Sequence, residues 1–165
     1  MSNQLRAELF KLRTTRTTLG MAAALVGLVA VAVALHALGL SAPRLASRSQ
    51  QLGVMVNTGE NLGAIFAGLA GALLITTEVR HGTIRSTFLV TPNRARVVVA
   101  KATTGLAIGA VFGLVSTAVA ASTAAIFLAA RGIPIHVTAG DYALLLVGGA
   151  AAGAFWAVIG LGVGT

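Results

Sequence analysis

Cysteine is absent from this chain. Its absence excludes disulfide frameworks, thiolate metal sites and cysteine nucleophiles together, and it leaves the redox compartment unreadable. Charge is scarce as well: 10% of the residues are charged and four are acidic, whereas a soluble domain carries about a quarter charged residues. Catalytic signatures are missing too. No HExxH, GxSxG or GxxxxGK[ST] pattern occurs, and His36, His81 and His136 stand far apart in sequence at the ends of apolar runs or in the polar segments between them. Intramembrane proteases, metal enzymes and pumps need carboxylates, histidines or a nucleophile inside their spans, and these apolar runs are almost clean of them. The expectation is a chain with no catalytic residue, no metal and no cofactor of its own. Nucleotide hydrolysis would have to come from a partner.

What the sequence has in quantity is apolar side chain. Hydrophobic residues make up 56% of it and the mean hydropathy is +0.90, so its surface belongs in lipid rather than water. The expected fold is all-α: a polytopic membrane helical bundle forming a single domain over 1–165. Four apolar runs, 19–40, 61–77, 102–130 and 142–164, approach or exceed the roughly 20 residues needed to span a bilayer. The first is too long for a signal-peptide core and ends without a clear cleavage site, which makes it a retained anchor. A polar loop is expected over 41–60. The second run is short, lying between Glu60 and Glu78; either its helix begins earlier, through 52–56, or Glu60 snorkels or faces protein. Thr91 and Pro92 suit a helix start, so Arg94, Arg96 and Lys101 would ride on an extension of the third span. Residues 131–141 read as a short turn, with Asp141 as N-cap of the fourth span.

The formal charge of +8 does not point to nucleic acid, because the basic residues sit in short clusters beside apolar runs and not along one polar face. They speak instead of orientation. Arg6, Lys11, Arg13 and Arg16 in the first polar segment, with Arg80, Arg85, Arg94, Arg96 and Lys101 in the third, outnumber Arg44, Arg48 and Arg131 on the other side. The positive-inside rule then puts the N-terminus and the 78–101 loop in the cytoplasm. Ten arginines against Lys11 and Lys101, with abundant Ala, Gly and Val, hint at a GC-rich bacterial genome. Small residues recur at four-residue spacing, as Gly63, Ala67 and Gly71, as Gly105, Gly109 and Gly113, as Gly149 and Gly153, and as Gly160 and Gly164. Such rows let helices approach closely, within one subunit or between two.

Two polar segments carry apolar patterns that solvation does not require. In residues 1–18, Leu5, Leu9 and Leu12 share one helical stripe with Phe10 off it, the pattern of an interfacial helix lying along the bilayer. In the 78–101 loop, Ile84, Phe88 and Leu89 form one apolar edge beside Arg85 on a short helix. An edge of this kind has to be covered, by the membrane surface or by a groove on a soluble protein. Glu78, at the end of the second span, is placed to pair with Arg80, Arg85 or an N-terminal basic residue.

At these two places the sequence resembles the permease subunits of type-2 ATP-binding-cassette (ABC) exporters, bacterial ones in particular. The residues that carry the resemblance are Ala7-Glu8-Leu9-Phe10-Lys11-Leu12-Arg13-Thr14-Thr15-Arg16 and, more specifically, Ile75-Thr76-Thr77-Glu78-Val79-Arg80-His81-Gly82-Thr83-Ile84-Arg85, with Pro92 and Lys101 downstream. The resemblance implies that the first segment is a connector helix on the membrane and that the loop is the coupling helix receiving the stroke of a cytosolic ATPase. Thr83 to Leu89 would dock in the ATPase groove, with Ile84 and Phe88 as buried contacts, Glu78 as a hinge-side anchor and Arg80, Gly82 and Arg85 around them. It further implies ATP and Mg on the partner ATPase, a second permease subunit (homo- or heterodimer), and a multi-pass protein of the bacterial plasma membrane with no nucleic-acid partner. Family permeases usually have six spans, so a sequence reaching Thr165 after four reads as C-terminally truncated. Nearly apolar spans favour hydrophobic or amphipathic cargo over small ions. The competing reading is a non-transporting membrane scaffold or immunity-type protein that tethers a partner.

Overall fold

The computed structural model describes the backbone of residues 16–80 and 94–164 and the side chains of 17–77 and 98–164. Five helices make up the described chain: α1 (Arg16–Gly39), α2 (Ala42–Leu45), α3 (Arg48–Arg80), α4 (Arg94–Ala130) and α5 (Ala139–Val163). Four of them contain stretches long and apolar enough to cross a membrane, Thr17–Gly39, Arg48–Thr77, Val98–Ala130 and Ala139–Val163. No strand occurs among the described residues. The fold is thus an all-α polytopic bundle.

Helices α3, α4 and α5 pack against one another on all three sides, and α1 leans mainly on α4. Leu25, Val29 and Val33 of α1, spaced four residues apart, are fully buried and make its inward stripe. The other faces stay apolar: Leu35 and Leu38 on α1, and Leu144, Val147 and Phe155 on α5, are more than half exposed. In water such surface would drive association. For a helix whose backbone bonds are satisfied internally, lipid is a suitable solvent.

The inside is built from small residues. A methyl group on Gly113 would overlap the Gly149 carbonyl, one on Gly109 or Gly153 would meet the other's carbonyl, and one on Gly160 would strike Gly68. Gly71 is held against the Ala157 carbonyl in the same manner. Backbone therefore touches backbone along α4 and α5 and along α3 and α5, the close approach that dispersion-driven packing in lipid requires. Hydroxyls in these helices bond to carbonyls one turn back, as Thr104 does to Ala100 and Thr117 to Gly113, at 2.9 Å each.

Two expectations are corrected. The stretch 41–60, read as a polar loop, is largely helical: Ser41 precedes α2, and α3 begins at Arg48, so the second span starts 13 residues before position 61. The reason is that Leu52, Val54, Met55 and Val56 have an apolar face to bury, with Val54 and Met55 inside the core cluster, and a helix is the conformation that satisfies the intervening polar backbone. Asp141 is not the N-cap of α5. Thr138 is, and Asp141 occupies the third helical position of a reciprocal capping box. The first span begins at Arg16 and the fourth at Ala139, each within three residues of the expected start. Arg94, Arg96 and Lys101 lie within α4.

Candidate functional site

The end of the bundle that carries α2 and the α4–α5 turn is closed by a polar cap. Gln51, 1% exposed, donates from Nε2 to the carbonyls of Leu45 at 2.9 Å and Pro134 at 2.8 Å, and its Oε1 accepts from the His136 amide at 2.9 Å. One side chain thereby fastens α2 and the 131–138 turn to α3. Arg48 grips Asp141 with two bonds, Nη2 to Oδ1 at 2.6 Å and Nε to Oδ2 at 3.1 Å, while Asp141 Oδ2 also accepts from the Thr138 amide and hydroxyl. This fork geometry is the strong form of a charge-assisted pair. Arg131 donates to the carbonyls of Ala37 at 2.5 Å and Leu40 at 3.0 Å, which are otherwise orphaned at the end of α1. Gly132, at φ +65, ends α4: the Gly132 amide bonds to Ala129 and the Ile133 amide to Leu128, the left-handed closure that only glycine adopts without strain.

Halfway down the bundle lies a second polar group of a different kind. Asn57, Glu60 and Asn61 fall at i, i+3 and i+4 on α3 and so share one face. Asn57 and Asn61 are exposed and Glu60 is half-buried. Asn61 Nδ2 donates to the Asn57 carbonyl at 2.6 Å. A methyl group on Gly148 of α5 would come within 3.2 Å of Glu60 Oε1, so the carboxylate rests against bare α5 backbone. The level is fixed by Ser116 of α4, whose hydroxyl donates to the Gly59 carbonyl at 2.6 Å. Ser116 lies about 22 Å of helix before Arg131. Measured along α3, Glu60 is about 18 Å below Arg48, well inside a hydrocarbon core about 30 Å thick.

Polar groups at that depth are costly. An acidic residue at the centre of a spanning helix disfavours insertion by about 3 kcal/mol, and in structures such residues face protein or a water-filled space. Glu60 makes no hydrogen bond and no ion pair with the described residues. Thr58, one turn from Asn61 and 6% exposed, has a hydroxyl with no partner among the described residues. No set of three or more His, Cys, Asp or Glu able to hold a metal is brought together among them either.

The residues singled out in the sequence fall in three places. Glu78 and Arg80 occupy the last turn of α3, where the backbone alone is described. Gly82, Thr83, Ile84, Arg85, Phe88 and Leu89 lie outside the described residues, as do Leu5, Leu9, Phe10 and Leu12. Gly105, Gly109 and Gly113 line the face of α4 that meets α5; a methyl group on Gly105 would lie 3.3 Å from Leu161 and 3.8 Å from Leu74. Sequence reading missed the Gln51 clamp and the position of Glu60 inside the second span. A signal for the capping box was present, since Thr138-Ala-Gly-Asp141 before an apolar run has the spacing of that motif.

Comparison with curated proteins and with solved structures gives no match. The family model described as "ABC-2 family transporter protein" matches residues 4–162, a span that takes in the four membrane helices, the glycine-packed interior and both segments on which the resemblance rested. The chain is therefore a multi-pass membrane protein belonging to the ABC-2 transporter family.

Proposed function

We propose that this chain is the permease subunit of an ATP-driven exporter in a bacterial plasma membrane, with its N-terminus and the 78–101 segment in the cytoplasm. It contributes the membrane pathway, a second permease subunit completes that pathway, and a separate cytosolic ATPase binds and hydrolyses ATP with Mg. The segment from Glu78 to Leu89 receives the ATPase, with Ile84 and Phe88 entering its groove and Leu89, Arg85, Thr83 and Gly82 around them. Leu5, Leu9, Phe10 and Leu12 lay the N-terminal segment along the inner leaflet.

The observation that carries this reading is the family match over residues 4–162, because ABC-2 permeases in general work with a partner ATPase. Helix length adds to it. The 33 residues of α3 and 37 of α4 extend about 50 and 55 Å, against a hydrocarbon thickness of about 30 Å. Level with α1 at the Arg131 contact to Ala37, α4 continues about 24 Å past the first residue of α1. A lever of that length carries a push on residues 81–93 into the glycine-packed interior.

The test is co-expression of the tagged chain with phosphate-loop ATPases from the same genome, followed by purification and reconstitution. Joint purification at fixed stoichiometry, with ATP hydrolysis that depends on the permease, is the expected outcome. Recovery of the chain bound to a different class of protein, with no nucleotide hydrolysis, would favour the tethering scaffold instead.

A further inference from the structure

We propose that the Asn57, Glu60 and Asn61 face of α3 is a binding site for a lipophilic cation on the transport route; this deepens the permease reading by naming a substrate class. The face sits within the spanning part of α3, where Ser116 binds Gly59, and Asn57 and Asn61 are open to the outside of the bundle. Amide and carboxylate groups at that depth are not left against hydrocarbon. Something polar or cationic covers them.

The charge pattern selects the occupant. Arg48, Arg131 and Lys101 stand toward the helix ends, about 18 to 22 Å away along their helices, and Arg48 and Arg131 are already engaged, with Asp141 and with the α1 carbonyls. No described basic residue reaches Glu60. A second copy of this chain meeting the face on its two-fold axis would bring another carboxylate, not a counter-charge. Glu60 Oε1 has room beside it because α5 presents Gly148 there, and the surrounding exposed surface is apolar, with Ile65 below on α3 and Leu144 and Val147 on α5. One carboxylate and two amides set in an apolar wall fit a ligand with a single positive charge and a bulky apolar body, such as an aryl or alkyl onium or a protonated amphipathic amine.

The full-length chain in phosphatidylcholine nanodiscs is tested with tetraphenylphosphonium and, as a shape-matched anion, tetraphenylborate. Saturable binding of the phosphonium is expected, weakened about tenfold or more by Glu60→Gln and retained by Glu60→Asp, as loss of a charge-assisted contact requires; the borate should not compete. Because the chain has no cysteine, Asn57→Cys and the lipid-facing control Val31→Cys give a second readout independent of Glu60. A cationic, water-soluble methanethiosulfonate should label Asn57→Cys and not Val31→Cys, and tetraphenylphosphonium should protect the former. Equal phosphonium binding by wild type and Glu60→Gln overturns the proposal. So does an unlabelled Asn57→Cys that forms disulfides between copies, which would make the face a subunit contact. Co-purification with the ATPase reports separately on the permease reading: it can succeed while cation binding fails, or the reverse.

Discussion

At the residue scale, the molecule relies on side chains that are absent. Gly113 and Gly153 exist to let carbonyl and α-carbon meet across α4 and α5, so Gly113→Ala has to push the helices apart. It should lower stability by about 1 to 3 kcal/mol, the usual cost of overpacking a tight interior. Gly27 has nothing within 4 Å, and Gly27→Ala should stay within about 0.5 kcal/mol of wild type. Denaturation in mixed detergent micelles compares the two. Gln51 is the opposite case, a buried side chain with three bonds to backbone. Gln51→Leu strands two carbonyls and an amide, and a loss of about 2 to 3 kcal/mol is expected in the same assay. None of this was legible from Gln51 itself. Its partners lie in Leu45, Pro134 and His136, and a hydrogen bond across 83 residues of sequence leaves no periodic trace.

At the scale of elements, apolar periodicity located the four spans, and of the two readings of the second one the earlier start, through 52–56, is the one α3 follows, though it begins earlier still at Arg48. The polar residues Gln50, Gln51, Asn57 and Glu60 read as a loop because each is unfavourable in lipid taken singly. Helix formation there depends on how they are distributed: Gln51 turns into the cap, Val54 and Met55 into the core, and Asn57 and Glu60 onto one outer face. Tertiary context decides such a boundary, and a single sequence carries it weakly. The start of α5 was more readable, since Thr138 and Asp141 have capping-box spacing, yet the cap went to Asp141 because an acidic residue is equally common in the first turn. Thr138→Ala removes the side chain that accepts from the Asp141 amide and should cost about 1 kcal/mol, measurable as a lower unfolding midpoint in detergent; Thr138→Ser should restore most of it.

For the whole molecule, the apolar exterior, the small-residue interior and the long α3 and α4 are those of a membrane helical bundle, and the bundle, though not the length of α3, was present in composition and periodicity alone. The basic clusters add a direction. If the proposed orientation holds, with the 78–101 segment in the cytoplasm, Ser47→Cys between α2 and α3 should react with a membrane-impermeant maleimide added to intact cells, while Thr83→Cys should react only after permeabilisation. The candidate functional residues were less legible. The motif around Glu78 to Arg85 identifies a family without supplying a geometry, whereas the geometry at Glu60 came from packing that brings α3, α4 and α5 to one level.

The central claim is that a cytosolic ATPase drives this chain through the segment between α3 and α4. Its most direct test is crosslinking in the membrane, with a single cysteine at Ile84 or Phe88 of an otherwise cysteine-free chain and a short bifunctional reagent, followed by identification of the adduct. The account predicts a crosslink from both positions to the groove of a phosphate-loop ATPase, changed in yield by ATP, and none from Val31→Cys. Efficient modification of Ile84→Cys and Phe88→Cys without an ATPase adduct, in cells of the source genome's full complement of phosphate-loop ATPases, would contradict it.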